Sequence, residues 1–212
     1  MRRIAKSGAA LLAISALAGC TVFPNAEPPR VMDLAVKQPV VEVLKRSSVS
    51  IRVSTPQASE PFTGSRILGK PTPYEYRVYG KVRWRTTMPV LVRDLMTDSL
   101  RSSNAFHTVL SDASSAEADK TLTSELTAFH TERKEGGLQA LIELHAQVVD
   151  NQSKAILCSA SFQATEQSIS EDVDRVTQAF SVAGQSLATD ITLWAVNCQQ
   201  EATSGTGQPT QP

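Results

Sequence analysis

Cys20 is the residue near the start of the chain whose type and position best suit covalent chemistry. It ends the stretch LLAISALAGC (11–20), whose apolar run from 9 to 18 is preceded by three basic residues, Arg2, Arg3 and Lys6. The run is too short for a membrane-spanning helix, which needs about 20 apolar residues, but it suits the core of a secretory signal peptide. Small residues stand just before the cysteine and fit a peptidase cleft, so we predict a signal peptide over 1–19.

The residues LAGC at 17–20 resemble the bacterial lipobox. This resemblance implies that the Cys20 thiol receives a diacylglycerol and that cleavage makes Cys20 the new N-terminus. Several acyl chains on one residue anchor a protein firmly, because each buried CH₂ contributes about 0.8 kcal/mol. Thr21 follows the cysteine, which resembles the class sorted to the outer membrane. The alternative is an ordinary secretory signal with a cysteine there by chance.

The two other cysteines, Cys158 and Cys198, are a candidate disulfide pair, because a periplasmic setting permits such bonds. Cys158 falls in a predicted strand and Cys198 at the end of the last predicted helix, so the two meet if this helix returns over its strand. The alternative is two free cysteines that act as small buried apolar residues.

The remaining candidate residues do not form a catalytic pattern. The three histidines, His107, His130 and His145, lack zinc-ligand spacing to one another or to a cysteine, and we expect structural or solvated roles for them. The candidates for paired carboxylates are Glu132, Glu135 and Glu143, two of which flank a Gly-Gly turn where charge is normally solvated. We therefore expect no catalytic residues, no metal and no cofactor apart from the lipid on Cys20, and predict that the protein is not an enzyme.

Arg83 and Trp84 are the candidate partner contacts, at the junction between a predicted strand and a predicted helix. An aromatic side chain between two arginines can face a partner, because it offers apolar area beside positive charge. The alternative is that Trp84 belongs to the edge of the hydrophobic core.

Composition divides the chain into four parts. The 21 basic and 21 acidic residues become a net charge of −3 once residues 1–19, with three basic and no acidic residues, are removed; with no block of Lys and Arg, nucleic-acid binding is not expected. Prolines in 20–46 predict an extended tether, and the polar segment 199–212 is predicted to be disordered. Residues 47–198 are long enough for one domain with a hydrophobic core.

Hydrophobic periodicity predicts the elements of that domain. Alternation of apolar with polar residues, or enrichment in aromatic and β-branched residues, predicts strands in 48–54, 74–84, 106–112, 121–133, 138–150 and 154–167. The last three are joined by short turns and read as an antiparallel meander. A Pro- and Gly-rich loop is predicted over 56–73.

Two amphipathic helices complete the predicted fold. The first begins near Pro89, with Thr86 or Thr87 as its cap, and the second spans about 171–198 after a group of acidic residues. The predicted fold class is α+β, a single domain with an antiparallel or mixed β-sheet and two main helices packed on it, in the order β-β-α-β-β-β-β-α.

The lipobox, the Arg83-Trp84 pair leading into PVLVRDLMTDSLRSSNAF, and the meander ahead of a long helix together resemble the ABC-type transport auxiliary lipoproteins, the PqiC-like group. The resemblance covers about 48–197 and depends on element order and pattern. The loop over 56–73 departs from the family pattern.

This resemblance implies an outer-membrane-anchored periplasmic lipoprotein of a Gram-negative bacterium that serves an MCE-type lipid transport system. The implied partners are an MCE-domain periplasmic protein, docked at the outer membrane, and its inner-membrane transporter, with phospholipid as cargo. The resemblance does not decide whether the protein binds lipid itself or whether it forms a homo-oligomer. Two other classes are alternatives: a lipoprotein activator of a peptidoglycan synthase, which a tether also fits, and a structural envelope lipoprotein without transport.

Overall fold

The computed structural model describes residues 27–37, 41, 43 and 46–204. The elements of this part are β1 (Arg30–Met32), β2 (Ser50–Val53), β3 (Gln57–Ala58), β4 (Leu68–Thr72), β5 (Glu75–Val78), β6 (Val82–Trp84), α1 (Met88–Ser102), β7 (Thr108–Ser111), β8 (Lys120–Lys134), β9 (Gly137–Asp150), β10 (Ile156–Gln167) and α2 (Val173–Ser204). They form a single α+β domain with a mixed sheet, so the predicted fold class is confirmed.

The three longest strands, β8, β9 and β10, form an antiparallel meander. Leu122 faces Val148, and Leu144 faces Phe162, so alternate residues of all three strands point to one side of the sheet. The turn between β8 and β9 uses Gly137 at a φ of 114°, a backbone conformation that favours glycine. The predicted meander is therefore present, with nearly the predicted bounds.

The other edge of β8 pairs with three short parallel strands in succession. β2 pairs with its start, β3 with its middle and β4 with its end, where Gly69 faces Thr131. β7 extends the sheet beyond β2, and β5 pairs with β4 as an antiparallel hairpin. The main path of the sheet is thus β10-β9-β8-β2-β7, and β1 and β6 form a separate parallel pair.

Both helices cover one face of this sheet. Apolar residues of α2, among them Phe180, Leu187 and Ile191, are fully buried and pack with the inward residues of the strands. α1 begins at Met88 after Thr87, with Pro89 in its first turn as predicted, although the Thr87 side chain makes no cap bond. The helices also contact each other, since the hydroxyl groups of Ser99 and Thr192 lie 2.8 Å apart.

The region 56–84 differs from the prediction. The predicted single strand over 74–84 is two strands, because Lys81 takes a φ of 58° and turns the chain between β5 and β6. The predicted loop over 56–73 contains β3 and β4, although β4 includes Gly69 and Pro71. The local propensity of these residues does not favour strands. Pairing with β8, and for β4 also with β5, supplies the hydrogen bonds that stabilise them.

The predicted tether over 20–46 is wrong for residues 30–37, which lie against the domain and are called here the N-terminal strap. The backbone N–H groups of Ala35 and Lys37 donate to the side chains of Ser181 and Gln185 on α2, both at 3.0 Å. Leu34 and Val36 lie over Gly184 of the same helix, whose missing Cβ leaves room for them. The strap therefore follows the axis of α2.

Candidate functional site

One end of the domain gathers exposed apolar side chains from separate segments of the chain. This hairpin end is formed by residues 70–78, 133–138 and 168–174. Tyr74 at the tip of the β4–β5 hairpin is 97% exposed, Ile169 in the connection to α2 is 83% exposed, and Val78 is 47% exposed. Isolated exposed apolar residues are common on proteins, but a group of them at one end marks a candidate interaction surface.

The segments of the hairpin end touch one another. Val78, Arg133, Leu138 and Glu171 line one open pocket, and Arg133, Leu138, Glu171 and Ile169 line the next. The backbone N–H of Ser168 donates to the carbonyl of Leu138 at 2.8 Å. Val78 and Ile169 therefore belong to one continuous surface, with Tyr74 at the tip of the hairpin that carries Val78.

A close approach of the hairpin to β8 fixes its position. The Tyr79 and Thr131 hydroxyl groups lie 2.9 Å apart, and burial raises the pKa of Tyr79. A Cβ built on Gly69 would lie 3.1 Å from the Thr131 Oγ1, which is tighter than ordinary contact. Glycine at 69 thus leaves room for the Thr131 and Tyr79 side chains where β4 approaches β8.

Charged groups at the hairpin end are arranged as ion pairs. Arg77 pairs with Glu75 at 2.7 Å and Lys134 with Glu132 at 3.3 Å, and Arg133 pairs with Glu171. Lys70 lies over the ring of Tyr76, 5.3 Å from its centroid. The surface therefore carries both signs of charge beside its apolar residues.

The chain enters the domain at this same end. The N–H of Arg30 donates to the carbonyl of Lys81 at 2.9 Å, and its guanidinium pairs with Asp174 at the start of α2 at 2.5 Å. Cys20 and the predicted signal peptide lie outside the described residues.

Trp84 lies in the hydrophobic core, so the candidate contact is wrong for this residue and the alternative of a core placement holds. Its side chain is fully buried, with its ring centroid 5.5 Å from that of Phe129 and 5.4 Å from that of Phe180, both edge-on. Arg83 points to the half-exposed side of β6, where it donates to the carbonyl of Trp84 at 3.0 Å. Adjacent side chains of a strand point to opposite faces, so Trp84 enters the core while Arg83 stays partly exposed.

Cys158 and Cys198 lie where the candidate disulfide requires. Their sulfur atoms are 2.05 Å apart, and the bond joins β10 to α2 across 40 residues. The cysteine side chains therefore connect the edge strand of the sheet to the helix that covers it.

The three histidines are separated in space and have different surroundings. His107 is exposed, and the ring nitrogens of His145 lie 3.0 and 3.1 Å from Ser161 and Ser159. His130 is 3% exposed, stacks on Phe62, and has no hydrogen-bond partner for either ring nitrogen among the described residues. Burial, followed by the nearby positive charge of Lys70, lowers the pKa of His130 to about 4.

The candidate carboxylates are not paired with one another. Glu132 accepts a hydrogen bond from Gln139 at 2.9 Å, Glu143 accepts one from Gln163 at 2.6 Å, and Glu135 is exposed in the turn. Over the described ranges, no three His, Cys, Asp or Glu side chains group to hold a metal. Neither helix of the described part combines the length and apolar character needed to cross a bilayer.

Residues 33–192 match the family model described as the ABC-type transport auxiliary lipoprotein component. The crystal structure of protein XCC0632 from Xanthomonas campestris, a DUF330 protein, is similar at a TM-score of 0.76 and 21% identity, covering 82% of this chain and 98% of that chain. The hypothetical protein CT253 from Chlamydia trachomatis is similar at a TM-score of 0.50 and 11% identity, covering 71% and 96%. At these identities the likeness shows the fold alone. No match was found among curated proteins.

Proposed function

The chain belongs to the ABC-type transport auxiliary lipoprotein family, and from this premise we propose that it is a non-enzymatic periplasmic lipoprotein held in the outer membrane by lipid on Cys20. In this proposal it docks an MCE-domain protein there and so serves phospholipid transport between the two membranes. The family match over 33–192 is the observation that carries the proposal.

The position of the strap supports the anchoring part of this function. β1 begins at Arg30, ten positions after the predicted lipidation residue, and is bound to both β6 and α2. A lipid on Cys20 would therefore be connected directly to the folded domain by the residues between 20 and 30.

The same feature argues against an activator of a peptidoglycan synthase. Arg30 stands ten positions after Cys20, and a fully extended chain of that length spans at most about 35 Å. The strap thus removes much of the reach that a longer tether over 20–46 would give such an activator.

In-cell crosslinking tests the proposed partner. A photoreactive residue is placed at exposed positions Arg101 on α1 and Gln152 in the β9–β10 turn, in wild type and in Cys20→Ala, and captured proteins are identified by mass spectrometry. We expect an MCE-domain protein, in lower yield from Cys20→Ala. Capture of a penicillin-binding protein, or of no envelope protein from either position, would contradict the proposal.

A deletion strain tests the transport part separately. We expect more phospholipid in the outer leaflet of the outer membrane and greater detergent sensitivity, both restored by the wild-type gene. Unchanged lipid distribution and detergent resistance would instead favour a structural envelope lipoprotein.

A further inference from the structure

We propose that the hairpin end lies on the membrane surface that holds the Cys20 lipid, with Tyr74 and Ile169 inserted at the level of the phospholipid headgroups. The occupant of this surface is a zwitterionic phospholipid bilayer. The inference rests on the lipid anchor of the proposed function and adds to it the orientation of the domain and a direct lipid contact.

The point of chain entry is the first argument for this orientation. Arg30 is held at the hairpin end by its bonds to Lys81 and Asp174. The ten positions from Cys20 to Arg30 span at most about 35 Å. From Arg30 the strap continues along α2 as far as Gln185. At 1.5 Å per helical residue, Gln185 lies about 16 Å along the helix from Asp174. The lipid-bearing segment therefore joins the domain on its hairpin side, and the strap leads away from this end.

The exposed side chains are the second argument. Tyr74 and Ile169 are 97% and 83% exposed on separate loops of this end. Tyrosine is favoured at membrane interfaces, because its ring is apolar and its hydroxyl stays hydrated. Burial of an exposed isoleucine lowers the free energy of the system by about 25 cal/mol per Å² of apolar surface removed from water.

The charges identify the kind of bilayer. The cations of the hairpin end are mostly paired with carboxylates, as in Arg77–Glu75, Arg133–Glu171 and Lys134–Glu132. Such a surface lacks the excess positive charge that selects anionic lipids, so a zwitterionic bilayer suits it. Apolar contact, rather than long-range attraction, would then dominate.

The opposite end of the domain differs and supplies a control. The turn between β9 and β10 is polar, and the Asp150 carboxylate there accepts hydrogen bonds from the backbone of Gln152 and Ser153. Ile156 beside this turn is 56% exposed. It is thus a matched isoleucine at the end that the orientation places away from the membrane.

Tryptophan quenching tests the orientation in the full-length lipidated protein. Tyr74→Trp, Ile169→Trp and Ile156→Trp are reconstituted in phosphatidylcholine vesicles containing brominated-chain phosphatidylcholine. The wild-type protein supplies the background from Trp84, which is buried, and Trp194, which is partly buried.

We expect bromine to quench the added tryptophan at 74 and at 169 at least about twofold more than at 156. The difference should persist between about 50 and 500 mM salt, because apolar contacts are not screened. Equal quenching at the three positions would overturn the inference. The inference would also be overturned if tryptophans at 74 and 169 are not quenched and photoreactive residues at these positions crosslink to a protein in cells, because the surface would then dock a protein.

Intact-mass measurement and vesicle flotation distinguish a wrong orientation of the domain from the absence of the lipid anchor on Cys20. Acylated protein that floats with the vesicles but shows no preferential quenching overturns the orientation alone. Protein without acyl groups on Cys20 that does not float overturns both the anchor and the orientation.

Discussion

Removing the bond between Cys158 and Cys198 should destabilise the domain by an amount that the structure allows us to calculate. The bond closes a loop across 40 residues, from the edge strand β10 to α2. The chain-entropy relation assigns about 4 kcal/mol at 25 °C to a loop of this length, because the cross-link restricts the unfolded chain. With a urea m-value of about 2 kcal/mol/M, the midpoint of unfolding should fall by about 2 M.

Urea denaturation of four proteins measures this effect: wild type, Cys158→Ala, Cys198→Ala and the double variant. Each single variant loses the whole cross-link, so we expect both singles and the double to fall by nearly the same amount, a strong non-additivity. Reductant should lower the midpoint of the wild type and leave the double variant unchanged. A wild-type midpoint that does not respond to reductant, together with two free thiols after non-reducing digestion, would refute this reasoning.

Three further changes test other parts of the structure. Trp84→Ala should lower the free energy of unfolding by about 3–5 kcal/mol, because it empties a fully buried aromatic cluster, whereas Arg83→Ala should cost about 1 kcal/mol or less; similar losses in urea denaturation would contradict the placement of Trp84. Gly69→Ala should lower the melting temperature, at a cost of about 1–3 kcal/mol, since its Cβ would lie 3.1 Å from the Thr131 Oγ1. The added Cβ of Gly80→Ala meets nothing within 4 Å, so this control variant should melt like the wild type. The pKa of His130 is about 4 in the folded protein and about 6.5 in the unfolded chain, so the stability that neutral His130 contributes is intact above pH 6.5 and should fall by up to about 3 kcal/mol as the pH drops to 4. His130→Phe should remove this part of the pH dependence in chemical denaturation. If the free energy of unfolding of His130→Phe changes between pH 4 and 6.5 as much as that of the wild type, the prediction is contradicted.

The meander and both helices could be predicted from the sequence because their signals are local. Alternation within 121–133, 138–150 and 154–167 fixes which residues face the helices, and short turns fix the order of the strands. The start of α1 follows from Thr87 and Pro89 beside an amphipathic stripe. These signals do not depend on distant parts of the chain.

The strands that pair over long sequence distances could not be predicted in the same way. β4 contains Gly69 and Pro71, which locally disfavour a strand, and its partner on β8 lies about 60 residues later. β1 lies in a segment with several prolines, and its hydrogen bonds go to β6 and, through the rest of the strap, to α2.

The candidate site could not be predicted from the sequence either, because it too depends on distant parts of the chain. The exposure of Tyr74 and Ile169 at one end becomes visible only when the hairpin and the loop before α2 are brought together. The burial of Trp84 likewise depends on Phe129 and Phe180, which belong to two other elements. The cysteine pair is different, because the expected return of α2 over its strand was enough to suggest it.

The N-terminal strap also determines how the domain would respond to mechanical force. A pull on the proposed lipid anchor would reach the domain at Arg30 and act back along the strap, nearly parallel to the axis of α2. The bonds to Lys81, Ser181 and Gln185 would then be sheared together rather than broken one after another. Because resistance to force depends on the rate of unfolding, the attachment would withstand tension between the membrane and the proposed partner better than its few hydrogen bonds suggest.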